Sequence, residues 1–323
     1  MQRFGRTGTL VAAIGALAVA MVAAGVVDWR SDNNSAPTPE RGASTASQAP
    51  YDGSNPFRTG RTLVIPHGGG DGLFPEDTLL AFQRTIAMGA DVVDVDLRLS
   101  KDDVVVVFHD ATTDRITGTT GSVREMTFDQ LRKLDAGWSF TTADSNSSAG
   151  DSHPFRGKNV TIPTLQSILD EFPTTLVSID LKDESLDIVE PVCELLQAHH
   201  RSNDVFVGSN SDEQILDFRR VCPGVRTSAI MGDVYAALDA RASNDANFVP
   251  AVTVDQPPFR SGSRQLVDAA SLGWAHQHGI AILTWVVNDV ADMKLLVGLG
   301  VDGIYTSYPD RLLKLLGRCT AKC

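Results

Sequence analysis

The run "DVVDVDL", residues 91–97, decides how the rest of the chain is read. Successive residues of a strand point to opposite sides. Asp94 and Asp96 therefore share one side, and Val93, Val95 and Leu97 share the other. The run "TLVSIDL" (175–181) repeats the pattern: Ser178 and Asp180, followed by Lys182, alternate with Val177, Ile179 and Leu181. Such strands would turn Val, Ile and Leu outward onto helices and line an interior with acids.

Further apolar, β-rich runs lie on either side: "TLVIP" (62–66), "DVFVGS" (204–209), "VRTSAI" (225–230), "FVPAVTV" (248–254), "IAILTWVV" (280–287) and "VDGIYT" (301–306). Amphipathic helical stretches separate them, among them 78–89, 265–279 and 289–300, and several end in Gly as helix C-caps do. "DRLLKLL" (310–316) closes the series. Eight strand–helix units predict an α/β fold, a (β/α)8 TIM barrel. A doubly wound sheet would want a glycine fingerprint after its first strand, in a form absent here.

One segment breaks the rhythm. "VVVVFHD" (104–110) follows the second strand after only a few residues. A parallel crossover needs a dozen or more, so this run predicts an antiparallel return arm with its turn at Asp102-Asp103. That pairing sets His109 opposite Asp96, within one residue. Residues 111–160 then form an insertion over the barrel mouth, including the Ser/Asn/Gly-rich "TTADSNSSAG" (141–150).

Active sites of such barrels form at the C-terminal ends of the strands. There "IPHGGGDGLFPEDTLLAF" (65–82) carries His67, three glycines and Glu76. No Gly-Lys-Ser/Thr follows, so this is no Walker loop. Taken singly, Glu76 reads as a helix-start residue and a strand-end Asp as a cap. Together, Glu76, Asp94, Asp96 and Asp180 converge without an obvious neutralising Arg. Four close carboxylates cannot all stay ionised unaided, and one hard divalent cation, Ca²⁺ or Mg²⁺, would resolve the repulsion. His67 and His109 on the same rim suit a general acid–base pair, and Lys182 suits a phosphoryl oxygen.

In their order, these residues resemble the glycerophosphodiester phosphodiesterase family from about 61 to 316. His67-Gly68-Gly69 stands for its His-Arg-Gly and Pro75-Glu76-Asp77-Thr78 for its Pro-Glu-Asn-Thr. Asp94-Val95-Asp96 stands for Glu-x-Asp, Ser100-Lys101-Asp102-Asp103 with His109-Asp110 for its hairpin and His-Asp, and Ile179-Asp180-Leu181-Lys182 for Ile-Glu-Ile-Lys. Residues 114–137 and 162–165 look like its insertion. Trp285-Val286-Val287-Asn288, Gly300-Val301-Asp302-Gly303 and Thr306-Ser307-Tyr308-Pro309 complete the match. The resemblance implies that His67 and His109 are catalytic, that Glu76, Asp94, Asp96 and Asp180 are metal ligands, and that Lys182, Arg115 and Trp285 bind substrate. Gly68 replaces a phosphate-holding Arg, which shifts that load onto Lys182, the metal and Arg115. Asp94 and Asp180 replace Glu and shorten two ligands by a methylene each. The implied reaction is hydrolysis of a small-molecule glycerophosphodiester to glycerol 3-phosphate and an alcohol. A phospholipase D-like sphingomyelinase on a related barrel is the rival enzyme. A catalytically inactive, surface-anchored binding protein is the rival of another class, although both histidines are present.

Composition sets outer bounds. The 323 residues carry a net charge of -12, which argues against a nucleic-acid partner, since phosphate binding needs clustered Lys and Arg. Arg3 and Arg6 precede an uncharged, Ala- and Gly-rich stretch from Thr9 to Val27. It reads as a signal peptide or membrane anchor over 1–27, with small-residue cleavage patterns at 18–20 and 22–24 and no lipoprotein cysteine nearby. The basic flank stays cytoplasmic, so the catalytic part is expected outside the membrane, secreted or tethered. Residues 28–60 read as a disordered tether and 61–317 as the phosphodiesterase barrel. Cys193, Cys222, Cys319 and Cys323 allow disulfides in an exported protein, or equally two buried thiols and a tail pair.

Overall fold

The computed structural model describes residues 55–141 and 153–319; the expected targeting segment, most of the expected tether and nearly all of the 141–150 loop lie outside the described residues. The strands are β1 (Leu63–Pro66), β2 (Val92–Leu99), β3 (Val105–Val107), β4 (Leu176–Leu181), β5 (Val205–Ser209), β6 (Arg226–Thr227), β7 (Val254–Asp255), β8 (Arg260–Ser261), β9 (Arg264–Gln265), β10 (Ala281–Thr284) and β11 (Gly303–Thr306). Parallel ladders run β2-β4-β5-β6 and β7-β10-β11-β1. Two seams close the ring. A parallel bridge pairs Ser228, just beyond β6, with Val254 of β7, and Asp91 N–H donates to Val64 C=O at 3.0 Å between β2 and β1. Eight parallel strands thus make the barrel that the alternating pattern predicts.

The alternation along β2 sorts its side chains as expected. Val93, Val95 and Leu97 lie in the outer core with Leu165, Ile168, Val192, Leu196 and Phe218 of the surrounding helices. Inside, Val92 joins Leu63, Ile65, Phe206, Val254, Ala281, Leu283 and Tyr305. The interior is therefore apolar at the base of β2 and acidic toward its C-terminal end. Phe57 is fully buried and plugs this base, its ring edge-on to Phe206 at 4.9 Å. Asn55 Nδ2 donates to Thr253 C=O at 2.6 Å. Residues 55–60 accordingly belong to the barrel rather than to a tether, because removing a buried Phe costs about 3–5 kcal/mol.

Three elements differ from expectation. The strand expected over 225–230 is confined to β6, because Ile230 already stands at the N-cap of the helix Met231–Ser243. The strand expected over 248–254 shrinks to β7, where Pro250 lacks an N–H for a ladder. The helix expected over 265–279 spans Ala269–Gln277, since β8 and β9 form an antiparallel hairpin ahead of it and Asp268 caps it by accepting from Ser271 N–H at 2.7 Å.

β3 returns antiparallel to β2, pairing Leu97 with Val107. Phe108 N–H donates to Asp96 C=O at 2.8 Å, so His109 lies one residue from the expected position. The insertion carries short helices, Asp114–Thr117 and Phe128–Leu131, over its own core of Val106, Phe108, Ile116, Val123, Leu131, Val160 and Ile162. On the flank, a disulfide joins Cys193, in the helix Val189–Ala198, to Cys222 at the end of the helix Asp212–Val221. Cys323 lies outside the described residues. Among the described residues no helix is long and apolar enough to cross a membrane.

Candidate active site

β1 delivers His67 into a tight turn, His67–Gly69, and the next residues reverse the chain through left-handed conformations. Gly69 and Gly70 have φ of 83° and 87°, a region where only glycine is unstrained. A Cβ on Gly69 would stand 2.8 Å from that of Ala81, so the loop lies directly on the following helix. That helix, Leu79–Met88, starts where Thr78 Oγ1 accepts from Ala81 N–H at 3.2 Å. Glu76 precedes it and is thereby held on the rim.

His67, Gly68, Asp71, Glu76, Asp77, Asp96, His109, Asp110 and Arg115 line one cavity of about 270 Å³. Each histidine has a carboxylate behind its ring. His67 Nδ1 is 3.2 Å from Asp71 Oδ2, and His109 Nδ1 is 2.7 Å from Asp110 Oδ1. With Nδ1 so engaged, Nε2 is the nitrogen left for a substrate. Burial works against a charge on His67, but the Asp71 hydrogen bond and the charges of Asp94, Asp71 and Asp96 outweigh it and push the pKa up to about 9. Burial likewise opposes ionisation of Asp71, yet His67, Ser307 and the Gly72 N–H hold its carboxyl below the usual range.

Asp96 and Asp180 are directly paired across β2 and β4, and Asp94 is paired with Ser178. Burial, with Asp96 adding repulsion, raises the Asp94 pKa to about 6 even though His67, Ser178 and Gly68 N–H favour the anion. Asp96 is raised by burial against the pull of Lys182. Beneath the acids, Tyr305 OH meets Ser178 Oγ at 2.9 Å and accepts from Gln256 Nε2 at 2.7 Å.

The expectation that the four carboxylates lack a neutralising Arg needs correction. Arg115 donates to both oxygens of Glu76. Lys182 Nζ lies 2.6 Å from Asp180 Oδ2 and 3.5 Å from Asp96 Oδ1. The insertion carries Arg115 to Glu76, a long-range contact that strand alternation does not encode. So engaged, no three His, Cys, Asp or Glu side chains among the described residues are gathered at metal-binding spacing. The donor set nevertheless fits a hard cation: all its atoms are carboxylate oxygens, and Asp180 Oδ1 is buried without a hydrogen-bond partner. Asp94, Asp180, Lys182 and Trp285 are not among the residues that line this cavity; Trp285 Nε1 donates to Gln256 C=O at 2.6 Å beyond the end of β10.

Sequence reading passed over Asp71 and Asp77. Asp77 is buried with φ of 55°, a left-handed position that Asp and Asn tolerate best. Its Oδ1 accepts from Asp96 N–H at 3.4 Å. Burial, reinforced by Asp96 and Glu76, pushes its pKa well above the usual carboxylate range.

The chain matches the model of the glycerophosphoryl diester phosphodiesterase family over residues 67–311, which spans both histidines and every carboxylate named above. It belongs to that family. A glycerophosphodiester phosphodiesterase of Caldanaerobacter subterraneus subsp. tengcongensis is 28% identical over 261 residues, covering 79% of this chain and 98% of that protein. Among solved structures, the glycerophosphoryl diester phosphodiesterase domain of a Mycobacterium tuberculosis protein is similar with a TM-score of 0.68 at 23% identity, over 80% of this chain and 99% of that one. An Oleispira antarctica phosphodiesterase, solved with the product sn-glycerol-3-phosphate, is similar with a TM-score of 0.62 at 20% identity, over 80% and 97% of the two chains. Those two structures speak for the barrel fold. Family membership makes this chain a phosphoric diester hydrolase, and enzymes of the family generally depend on a divalent metal.

Proposed function

We propose that the cavity hydrolyses a glycerophosphodiester to glycerol 3-phosphate and an alcohol, with His67 and His109 as its acid–base pair. The observation that carries this reading is the shared cavity, in which two histidines backed by carboxylates stand beside Glu76, Asp96 and Arg115. His67, whose charge the Asp71 hydrogen bond and the nearby Asp94 and Asp96 favour, donates a proton to the departing alkoxide as the phosphorus–oxygen bond breaks. His109 accepts the proton of the attacking hydroxyl. Asp110 is shared between His109 and Arg115, so the same carboxylate orients both side chains. Glu76, Asp94, Asp96 and Asp180 would hold one Ca²⁺ or Mg²⁺, which supplies polarisation of the phosphoryl oxygens when bound. Arg115 and Lys182 would then turn part of their charge to the phosphate.

Hydrolysis of glycerophosphocholine with and without EDTA tests the reading. Release of glycerol 3-phosphate that EDTA stops and Ca²⁺ or Mg²⁺ restores is expected. Turnover of sphingomyelin with none of glycerophosphocholine would overturn it.

The proposal extends to location. Residues 1–27 would direct the barrel across the cytoplasmic membrane, and the disulfide between Cys193 and Cys222 supports an oxidising destination. Protease added to intact cells should degrade the domain, or the domain should be found in the medium. Full-length protein confined to the cytosol would rule this out.

A further inference from the structure

Two of the motifs read from the sequence play no part in the proton transfers above: Trp285-Val286-Val287-Asn288 and Thr306-Ser307-Tyr308-Pro309. They stand at the C-terminal ends of β10 and β11, the two strands next to β1 in the sheet order β1-β11-β10. Asn288 knits the two loops together. Its Oδ1 accepts from Ser307 N–H at 2.9 Å and from Thr306 Oγ1 at 3.0 Å, and its Nδ2 donates to Ser307 Oγ at 3.2 Å. Ser307 C=O in turn accepts from Gly72 N–H at 3.1 Å, which fixes the glycine loop one residue past Asp71. Gly72 itself has no room for a side chain, since a Cβ there would stand 2.6 Å from the Tyr308 ring. The loop cannot slide at this point without breaking those contacts.

We propose that Asp71 is the positioning residue for His67, and that Asn288 and Ser307 hold Asp71 in place for that task. The geometry is that of an imidazole oriented from behind. Asp71 Oδ2 meets Nδ1 at 3.2 Å, and a carboxylate there accepts the Nδ1 proton and fixes the ring plane, leaving the Nε2 proton to face the reacting oxygen. The two residues are held at opposite ends of one turn, in which Asp71 N–H donates to His67 C=O at 3.1 Å. His67 follows directly from β1, but the glycines on either side of Asp71 could not hold its carboxylate in one place. The anchor from Asn288 and Ser307 supplies what the loop lacks. Asp71 itself touches no substrate in this account; it acts through His67.

The inference rests on the role proposed above for His67, and its test separates the two. Asp71→Asn, Asp71→Glu and Asn288→Ala are assayed on glycerophosphocholine. Imidazole ¹⁵N chemical shifts are recorded on protein labelled at histidine, with the His67 signals identified by their loss in His67→Gln. Asp71→Asn is expected to lower kcat by at least about 10-fold with KM within about twofold, since removing the carboxylate behind a proton-transferring histidine costs up to about 10⁴ in kcat. Asp71→Glu should recover most of that loss. Recorded at a pH above the His67 pKa, where the ring is neutral, the ¹⁵N shifts of His67 should move from an Nδ1-protonated ring toward a tautomer mixture in Asp71→Asn and Asn288→Ala, but not in Asp71→Glu. Unchanged His67 shifts in Asp71→Asn would overturn the proposal whether or not the enzyme turns over this diester. So would kcat retained within twofold in that variant, or a loss that Asp71→Glu leaves unrecovered. Wild-type protein inactive on the diester, with the shift changes still present, would instead refute the proposed reaction and leave the Asp71–His67 pairing standing.

Discussion

Arg115 clasps Glu76 and Asp110 with one guanidinium, donating to both oxygens of each carboxylate. Glu76 belongs to the loop after β1 and Asp110 to the arm that carries His109, so a single side chain couples the two halves of the cavity. Charge-assisted, forked hydrogen bonds of this kind set geometry as well as energy.

Arg115→Ala should therefore disturb chemistry far more than folding. Loss of charge-assisted hydrogen bonds worth about 1.5–3 kcal/mol corresponds to a fall of roughly 10–100-fold in kcat/KM. The Arg115 side chain is 52% exposed, and exposed ion pairs contribute only about 0–1 kcal/mol to stability. Urea denaturation alongside steady-state kinetics checks both. A variant that unfolds readily yet keeps its specific activity would show that the clasp is structural.

A second expectation concerns pH in the presence of chelator. The Asp94 pKa is raised to about 6 in the fold by burial and by Asp96, against about 3.9 for an unfolded Asp. The folded state thus holds its proton longer than the unfolded one does. Ionisation of Asp94 costs the fold nothing below pH 4, and the penalty grows to its full size as pH rises through 6. Stability in EDTA should fall across this window, and Asp94→Asn should flatten that fall. Saturating Ca²⁺ or Mg²⁺ should flatten it in wild-type protein as well. Urea midpoints at pH 4.5 and 6.5 measure the effect, and equal slopes for wild type and Asp94→Asn would refute it.

The parts of the fold that were legible from sequence are those governed by local periodicity. Val93, Val95 and Leu97 against Asp94 and Asp96 sufficed to place one set on the helices and the other inside, because a strand leaves no other choice. The position of His109 followed from the length of a turn. What escaped were contacts between loops distant in sequence. Nothing in the spacing of residues 67–72 shows that Asp71 lies behind His67, and nothing near residue 115 shows that its guanidinium reaches Glu76. Short strands such as Val254–Asp255 were overdrawn for a related reason: an apolar run says that residues are buried, while a Pro or a nearby cap decides whether they pair.

The disulfide between Cys193 and Cys222 closes a loop with a sequence separation of 29. Chain-entropy reasoning gives such a cross-link roughly 3–4 kcal/mol. Replacing both cysteines by Ala should lower the unfolding free energy by about that amount while leaving kcat close to wild type, since both lie on the outer flank among Val192, Leu196 and Phe218. Reduction with dithiothreitol should have the same effect on wild-type protein and none on the double variant. Thermal melts with and without reductant decide it; identical melts for wild type would show that the two thiols stay unpaired in solution.

The acid–base pair makes the sharpest prediction, because the two histidines should fail in different ways. If His67 protonates the departing alkoxide, its loss matters only where the leaving group needs a proton. His67→Ala should cost about 10²–10⁴ in rate on glycerophosphocholine and much less on a diester with a nitrophenyl leaving group, whose phenolate departs unaided. His109→Ala should be slow on both, since the attacking hydroxyl must lose its proton in either case. In wild type, kcat/KM on the alkyl diester should trace a bell, falling on the acid side as His109 gains a proton and on the alkaline side as His67 loses one. Burial opposes the His67 charge, but Asp71, Asp94 and Asp96 hold its pKa at about 9 without metal. A bound divalent cation should move the alkaline limb below that value, since it neutralises the acids that raise it. The alkaline limb should vanish in His67→Ala and survive in His109→Ala. An equal loss on alkyl and aryl substrates in His67→Ala would remove that ring from the leaving-group role, and a loss confined to the alkyl substrate in His109→Ala would reverse the assignment.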